Sequence, residues 1–241
     1  LINSFCFFLK ITFTIVDPLS ATIALPGSQI ILGNLVIFKL SKLFLISAAS
    51  GTGKSSLINS AINKIQKLGQ KVELSISYTT RKERSDNQDY YFFIDKFDFQ
   101  DKLNKNFFLE HAKVHGNMYG TSREFVEEKL LEGINLILEI DVQGVQSIKN
   151  KTFPCESIFL LPPSIQSLKD RLEIRGTNTK ANIDLRIKNA YNEISHAKNY
   201  DHILINDDFD ECCNNLVSII LGENDFPTDS KTEMFLKKLL N

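Results

Sequence analysis

A glycine-rich segment carries the residues of this chain that are best suited to binding phosphate. Residues 50–56 read Ser-Gly-Thr-Gly-Lys-Ser-Ser and follow an apolar, strand-like run. The two glycines let backbone N–H groups turn toward phosphate oxygens, Lys54 can reach terminal phosphates, and the Ser55 hydroxyl can ligate Mg²⁺. Ala48 replaces the first glycine of the pattern G-x-x-x-x-G-K-[ST]. Spacing and flanking elements together predict a phosphate-binding loop rather than an ordinary turn.

A second candidate element is an apolar run that ends in acidic residues. Residues 134–140 predict a strand, and Glu139 and Asp141 stand at its carboxyl end. Carboxylates there lie beside a phosphate loop in a parallel sheet, where Glu139 can hold the water shell of Mg²⁺. Residues 141–144 also spell D-x-x-G, as in GTPases, but no N-K-x-D motif follows. The pattern therefore argues against a GTPase.

Two groups of arginines supply the remaining charge for phosphate chemistry. Arg81 and Arg84 follow Ser-Tyr-Thr-Thr, whereas Arg171, Arg175 and Arg186 occupy predicted helices. Arginine binds phosphate through two parallel hydrogen bonds, and phosphoryl transfer needs its developing charge neutralised. A single helix arginine serves equally well to solvate a surface. Two such groups in a chain with a phosphate loop favour a phosphoryl-transfer site.

Length and composition limit the other classes of function. The chain has 241 residues, 43% of them hydrophobic, so it can bury one core with small inserted subdomains. Its net charge of -1 gives no indication of nucleic acid or a membrane as a partner. The four cysteines form no C-x-x-C pair, and among the four histidines only His111 and His115 have H-x-x-x-H spacing. We therefore expect reduced thiols, a cytoplasmic location and no zinc site.

Strand and helix patterns alternate after residue 40 and predict an α/β fold, a parallel sheet covered on both faces. The predicted strands span residues 43–47, 72–76, 134–140, 157–161 and 202–205. The predicted helices span residues 55–68, 122–132, 164–175, 182–198 and 209–221.

Three segments depart from this alternation. Residues 1–40 contain no run of about 20 apolar residues that would span a membrane, and we expect a non-native or disordered extension there. The aromatic-rich stretch at 77–121 predicts an inserted subdomain with strands near 90–94 and 107–114 around a short helix. Residues 222–241 predict a weakly attached tail.

Taken together, the motifs show that the chain from residue 42 to about 221 resembles the guanylate kinase family. The resemblance rests on motifs in family order over about three quarters of the chain, at residues 50–56, 77–84, 89–93, 108–112, 116–121, 139–144, 171–176 and 205–208. It implies a P-loop three-layer α/β/α fold with a central parallel sheet, an inserted GMP-binding subdomain and a helical lid at about 164–190. The domain would span residues 41–222 and leave a tail at 223–241.

The resemblance also implies a role for each matching residue, in a transfer of phosphate from ATP, with Mg²⁺, to GMP. The guanine base would be held by Ser77, Glu110, Thr121 and Asp141. The GMP phosphate would be held by Arg81, Arg84, Tyr91 and Tyr119. ATP would be bound by Ser50, Gly51, Thr52, Gly53, Lys54, Ser55, Ser56 and Asn206. The catalytic cations would be Lys54, Arg171, Arg175 and Arg186.

Base chemistry agrees with this assignment. Guanine offers donors at N1 and at its 2-amino group, which two carboxylates can accept, whereas adenine has an acceptor at N1 and no 2-amino group. Glu110 and Asp141 therefore disfavour a kinase specific for AMP or a pyrimidine nucleotide. The chain departs from the family in a loop two residues shorter between Arg84 and Tyr91, which leaves Tyr90 as an alternative to Tyr91. It also has Glu139 where the family usually has Asp.

A second interpretation is a non-catalytic guanylate-kinase-like module that binds partner peptides. Such modules typically lose phosphate-loop and GMP-site residues, whereas this chain keeps Lys54, Ser55, Arg81 and Arg84. We therefore expect an active enzyme acting on small-molecule substrates. The sequence does not indicate an oligomeric state.

Overall fold

The first forty residues contribute two short antiparallel hairpins. The computed structural model describes residues 14–17, 20–22, 29–32, 35–38, 41–83, 91–114, 116–151, 153–174, 180–224 and 229–240. Strand β1 (Thr14–Asp17) pairs with β2 (Ser20–Thr22), and β3 (Gln29–Leu32) pairs with β4 (Leu35–Phe38). Among the described strands, these four join neither of the larger sheets. Parts of residues 1–40 therefore have regular secondary structure. That these residues are an extension outside the main domain stays a prediction.

The later strands form two sheets. In chain order they are β5 (Leu43–Ala48), β6 (Val72–Leu74), β7 (Ser77–Thr79), β8 (Tyr91–Phe93), β9 (Phe108–Val114), β10 (Asn117–Ser122), β11 (Asn135–Glu139), β12 (Glu156–Leu161) and β13 (His202–Ile205). The central sheet has the order β13-β12-β5-β11-β6, and all its pairs are parallel. The second sheet has the order β8-β7-β10-β9.

Helices follow most strands. They are α1 (Lys54–Lys67), α2 (Lys96–Asn104), α3 (Arg123–Leu131), α4 (Val142–Asn150), α5 (Ile165–Ile174), α6 (Lys180–Ser195), α7 (Phe209–Leu221) and α8 (Ser230–Leu240). A 3₁₀ turn, Ala197–Asn199, follows α6. Within the described ranges, none of these helices combines the length and apolar character that crossing a membrane requires.

The central sheet separates two hydrophobic cores. Leu43 and Leu45 of β5 belong to one core, together with side chains from α3, α4, α5, α6 and α8, whereas Phe44 and Ile46 belong to the other, beneath α1 and α7. Alternate residues of a strand point to opposite faces, and a parallel sheet is buried on both. This burial explains why β5 is a continuous apolar run, and it confirms the predicted three-layer α/β/α fold.

The inserted segment folds as predicted into an aromatic-rich subdomain, with more strands than its sequence suggested. Strands β7 and β10, which were not predicted individually, pair with each other in the middle of the second sheet. The rings of Phe99 on α2 and Phe108 on β9 stack with centroids 4.6 Å apart. The Asp95 side chain accepts a hydrogen bond from the Asp98 N–H and caps α2.

Helices α4 and α8 differ from what the sequence predicted. Helix α4 was not predicted, because the residues around its start were interpreted only as a nucleotide motif. The prediction of a weakly attached tail is wrong for α8, whose Leu236 and Leu239 are buried in the core that also contains Ala190 and Ile194 of α6. The sequence of α8 is amphipathic, with Leu236 and Leu239 at helical spacing, and the prediction overlooked this pattern.

Candidate active site

The phosphate loop connects β5 to α1 at the carboxyl edge of the central sheet. Gly51 and Gly53 have φ angles of +97° and +96°, a region that side-chain-bearing residues rarely adopt. Gly53 also precedes α1 and has no side chain to cap it, which leaves its first-turn N–H groups available to phosphate. Inside the loop, the buried Thr52 hydroxyl donates to the Ala49 carbonyl at 2.7 Å. The loop therefore has the geometry that its sequence predicts.

Two side chains from distant parts of the chain hold this loop. Nη1 of Arg171 on α5 donates to the Thr52 carbonyl at 2.9 Å, and Nδ2 of Asn206 donates to the same oxygen at 2.7 Å. Asn206 directly follows β13 and is only 3% exposed. Its amide is therefore committed to the loop, and its contact with adenine stays a prediction.

Helix α6 also contacts the loop, through the side chains of Arg186 and Glu193. Nη2 of Arg186 donates to Oγ of Ser50 at 2.8 Å. Oε2 of Glu193 accepts the Ser50 N–H, with 3.4 Å between nitrogen and oxygen. The sequence analysis missed Glu193, because it belongs to no nucleotide-binding motif and lies outside the predicted lid. Its position depends on how α6 packs.

Lys54, Ser55 and Glu139 form a compact polar cluster at the start of α1. Oε1 of Glu139 lies 3.0 Å from Nζ of Lys54 and accepts a hydrogen bond from Oγ of Ser55 at 2.8 Å. Burial would raise the pKa of Glu139, but the Lys54 charge and the Ser55 hydroxyl outweigh burial and lower it. Glu139 is therefore an anion at neutral pH, as its predicted role near the metal requires.

This cluster has the donor chemistry that Mg²⁺ prefers. The Ser55 hydroxyl and the Glu139 carboxylate offer oxygen atoms close together, and Mg²⁺ near nucleotides uses one or two protein oxygens plus phosphates and water. In the described part of the chain, no three His, Cys, Asp or Glu side chains form a metal-binding group. A metal here would therefore need nucleotide phosphates to complete its shell.

The second candidate site lies on one face of the inserted sheet. Tyr91, Ser77, Thr121 and Glu110 are register partners across β8, β7, β10 and β9 in that order. Partners in register project to the same face, and Tyr119, two residues from Thr121, shares it. The fold thus brings together five residues that the resemblance assigns to GMP.

Glu110 and Asp141 approach each other at one end of this row. The Thr121 hydroxyl donates to Oε1 of Glu110 at 2.7 Å, and Asp141 caps α4 by accepting the Gly144 N–H at 2.9 Å. A Cβ placed on Gly144 would lie 3.0 Å from Oε2 of Glu110 and 3.4 Å from Oδ1 of Asp141. Glycine at position 144 therefore lets two carboxylates border the same space.

Burial favours the protonated form of Glu110. Glu110 is 3% exposed, and its burial raises its pKa to about 7. The Thr121 hydrogen bond and the Lys151 charge oppose this rise, whereas Asp141 adds to it. A buried carboxyl with so few compensating donors indicates a site arranged for a ligand that supplies them.

This pKa has a measurable effect on stability. The folded protein binds the Glu110 proton more tightly than the unfolded chain, so the free energy of unfolding should fall as pH rises from about 4.5 to about 7. The loss should be on the order of 3 kcal/mol. Urea unfolding of the wild type and of Glu110→Gln at about pH 5 and pH 8 would measure it. An equal pH dependence in both proteins would contradict the prediction.

Arg81 has buried donors that no described residue satisfies. Its backbone N–H donates to Oγ1 of Thr79 at 3.1 Å, and its guanidinium lies 5.0 Å from the centre of the Tyr91 ring. Nε and Nη2 are buried without a hydrogen-bond partner among the described residues. The Tyr91 and Tyr119 rings lie 6.0 Å apart beside it. An anion placed here would satisfy the guanidinium, because buried donors need acceptors.

For some predicted site residues, the described contacts neither support nor contradict the predicted role. Arg84, Arg175 and the alternative Tyr90 lie outside the described residues. Ser56 lies in the first turn of α1 and is exposed, so its contact with nucleotide stays a prediction. Tyr91, by contrast, lies in the row that also contains Ser77, which favours it over Tyr90.

Comparisons with known proteins agree with this geometry. The guanylate kinase family profile matches residues 40–223. The guanylate kinase of Hahella chejuensis is 46% identical over 184 residues, which cover 76% of this chain and 86% of that relative. The guanylate kinase of Blochmanniella floridana is 48% identical over 182 residues, 74% of this chain and 85% of that relative.

A solved structure leads to the same family. The crystal structure of guanylate kinase from Anaplasma phagocytophilum aligns with a TM-score of 0.60 at 28% identity and covers 76% of this chain and 86% of that one. The residues that match the family profile include the phosphate loop, the inserted sheet and helices α5 and α6. The chain belongs to the guanylate kinase family.

Proposed function

We propose that this protein transfers the γ-phosphoryl group of ATP to GMP and so produces ADP and GDP. The observation that carries the proposal is the row of polar side chains on the inserted sheet, where Glu110 borders Asp141 and Arg81 lies beside Tyr91. These groups match a guanine base at one end and a phosphate at the other. Membership of the guanylate kinase family also supports a nucleoside-monophosphate kinase.

The proposed base site explains selection of guanine. The carboxylates of Glu110 and Asp141 would accept the N1 and 2-amino hydrogens, while Ser77 and Thr121 contribute hydroxyls. Guanine supplies the donors that buried Glu110 lacks, so binding favours its ionised form. AMP would leave a buried carboxylate unpaired, which can disfavour it by roughly 10⁴-fold.

The proposed phosphate site would orient the nucleophile. Arg81, Arg84, Tyr91 and Tyr119 would bind the GMP phosphate and hold one of its oxygens in line with the γ-phosphorus of ATP. That oxygen is already anionic, so no general base has to remove a proton. A new P–O bond forms from the GMP oxygen as the bond to the ADP oxygen breaks, and catalysis is positioning plus charge neutralisation.

The proposed ATP site is the loop together with its cations. Residues 50–56 would enclose the phosphates, with Lys54 on the terminal ones and Asn206 near the adenine. Arg171 and Arg186 now donate to neutral loop oxygens, and anionic phosphate is the stronger acceptor for them and for Arg175. Mg²⁺, held by Ser55 and through water by Glu139, would neutralise charge on the transferred group.

We also propose which segment of the chain performs each function. Residues 41–222 would form the catalytic unit, with GMP binding at about 77–121 and the lid at about 164–190. Closure of the lid would exclude water and so protect ATP from hydrolysis. Residues 1–40 would lie outside the unit, whereas α8 at 230–240 packs on it.

A coupled assay of ADP release tests this function. Purified protein with ATP and Mg²⁺ would receive GMP, AMP, UMP or no acceptor in parallel. ADP release that depends on GMP alone is the expected result. A folded protein that binds GMP and releases no ADP with any acceptor would favour the non-catalytic module, and release with AMP or UMP would refute the base assignment.

A further inference from the structure

A half-buried carboxylate on α6 lies against the phosphate loop, where nucleotide phosphate is expected. Oε2 of Glu193 accepts the Ser50 N–H across 3.4 Å. This hydrogen bond is longer than the usual 2.7–3.2 Å, so exchanging it for a better acceptor costs little. Backbone N–H groups of such loops are what bind phosphate oxygens. Glu193 therefore occupies a donor that phosphate can use.

The charges around Glu193 are those that the proposed reaction uses. Lys54 from α1 and Arg186 from its own helix favour the carboxylate, whereas Asp141 from the start of α4 opposes it. Burial has the largest effect and raises the pKa of Glu193, and the Ser50 hydrogen bond partly offsets it. Arg186 also binds the Ser50 hydroxyl at 2.8 Å. A phosphate arriving here competes with Glu193 for the Ser50 N–H and is attracted by the same lysine and arginine.

We propose that Glu193 is a positioning residue that takes the place of phosphate in the empty site and weakens the binding of phosphorylated nucleotide. Without nucleotide, it accepts the Ser50 N–H and lies in the field of Lys54 and Arg186. With nucleotide, its negative charge stays beside the phosphates and repels them. This repulsion favours release of the product ADP, a step that limits the turnover of many enzymes with lids.

The inference rests on the proposed function for the identity of the nucleotide, but its physical claim needs only a loop that binds phosphate. Binding of ADP with Mg²⁺ to the full chain, measured by calorimetry without GMP, therefore tests it separately. Glu193→Gln keeps the side-chain size and one acceptor oxygen and removes the charge. We expect its Kd for ADP to be lower than that of the wild type by about 3- to 10-fold at about pH 8.

The matched control is Glu233→Gln, which makes the same substitution at an exposed position of α8, outside the proposed lid. Its Kd should stay within about two-fold of the wild type, since exposed charges are screened. A Glu193→Gln variant that binds ADP no more tightly than the wild type would overturn the inference. So would an equal gain in both variants, because the effect would then be one of net charge.

The pH dependence separates a charge effect from a packing effect. Burial raises the pKa of Glu193, so protonation neutralises it in the wild type as pH falls, and the difference in Kd between wild type and Glu193→Gln should shrink as pH falls from about 8 toward 4.5. A difference that does not change with pH would indicate packing and refute the inference. If the glutamine variant fails to fold, Glu193→Asp withdraws the charge by one methylene and should also bind ADP more tightly, and unchanged binding would contradict this.

The outcomes distinguish the two proposals. Tighter ADP binding by Glu193→Gln without any GMP-dependent turnover would refute the kinase and leave the role of Glu193 intact. Turnover with GMP and unchanged ADP binding would refute only the role of Glu193. A folded wild-type protein that binds no ADP would refute both.

Discussion

Lys54→Ala is expected to lower kcat by about 10³-fold while the affinity for GMP changes little. Lys54 is the first residue of α1, and its Nζ lies 3.0 Å from the Glu139 carboxylate. This contact holds the lysine charge where the terminal phosphates of ATP would lie. In the proposed mechanism this charge stabilises the transferring group more than the bound substrates. The loss should therefore appear mainly in kcat.

The measurement is steady-state kinetics with ATP and GMP varied independently, together with GMP binding to the variant. Lys64→Ala is the matched control on the same helix, because Nζ of Lys64 donates to Asn214 on α7 at 2.9 Å, away from the loop. The control should keep kcat within about two-fold of the wild type. Normal turnover by Lys54→Ala would refute the assignment of the phosphate loop.

The phosphate loop could be predicted because its geometry is local. Glycine at 51 and 53, the lysine and the hydroxyl need only a strand before them and a helix after them, and the apolar run of β5 indicated the strand. The same reasoning predicted that Glu139 lies beside the loop, since carboxyl ends of parallel strands share one edge, and Glu139 does pair with Ile46 across β11 and β5. Local chemistry therefore predicted the edge of the sheet at which Lys54, Ser55 and Glu139 meet.

Non-local contacts account for what the sequence missed. The short β10 has a strand-like environment only because β7 and β9 flank it. Asp141 was interpreted as a base ligand, whereas the structure shows that it also caps α4 through the Gly144 N–H. Helix α8 packs through Leu236 and Leu239, a helix-spaced pair whose partners on α6 are remote in sequence. Such elements depend on partners that are remote in sequence.

Glu193 shows the same limit at the site itself. A glutamate on a half-polar helix has no pattern that distinguishes it from Asp184, which is exposed on the same helix. Its approach to Ser50 spans 143 positions of the chain and depends on the packing of α6 against the loop. The motifs predicted the residues that we propose to bind nucleotide, whereas the proximity of Glu193 to the loop is evident only from the fold.

Glu110→Gln is expected to lower kcat/KM for GMP by about 10²- to 10⁴-fold and to leave KM for ATP within about two-fold. The substitution keeps the buried volume and the contact with Thr121, but it replaces one carboxylate oxygen with an N–H donor. That donor would face a guanine hydrogen, so the variant loses an acceptor and gains a repulsive contact.

Stability distinguishes this loss from damage to the fold. Because ionised Glu110 is costly to bury, Glu110→Gln should be at least as stable as the wild type at about pH 8 while it loses most GMP use. Glu128→Gln, on an exposed position of α3, is the matched control and should retain wild-type kinetics. Equal losses toward ATP and GMP would place the base site elsewhere. A stable variant with selective loss of GMP use would show that the protein accepts a destabilising carboxyl because guanine requires it.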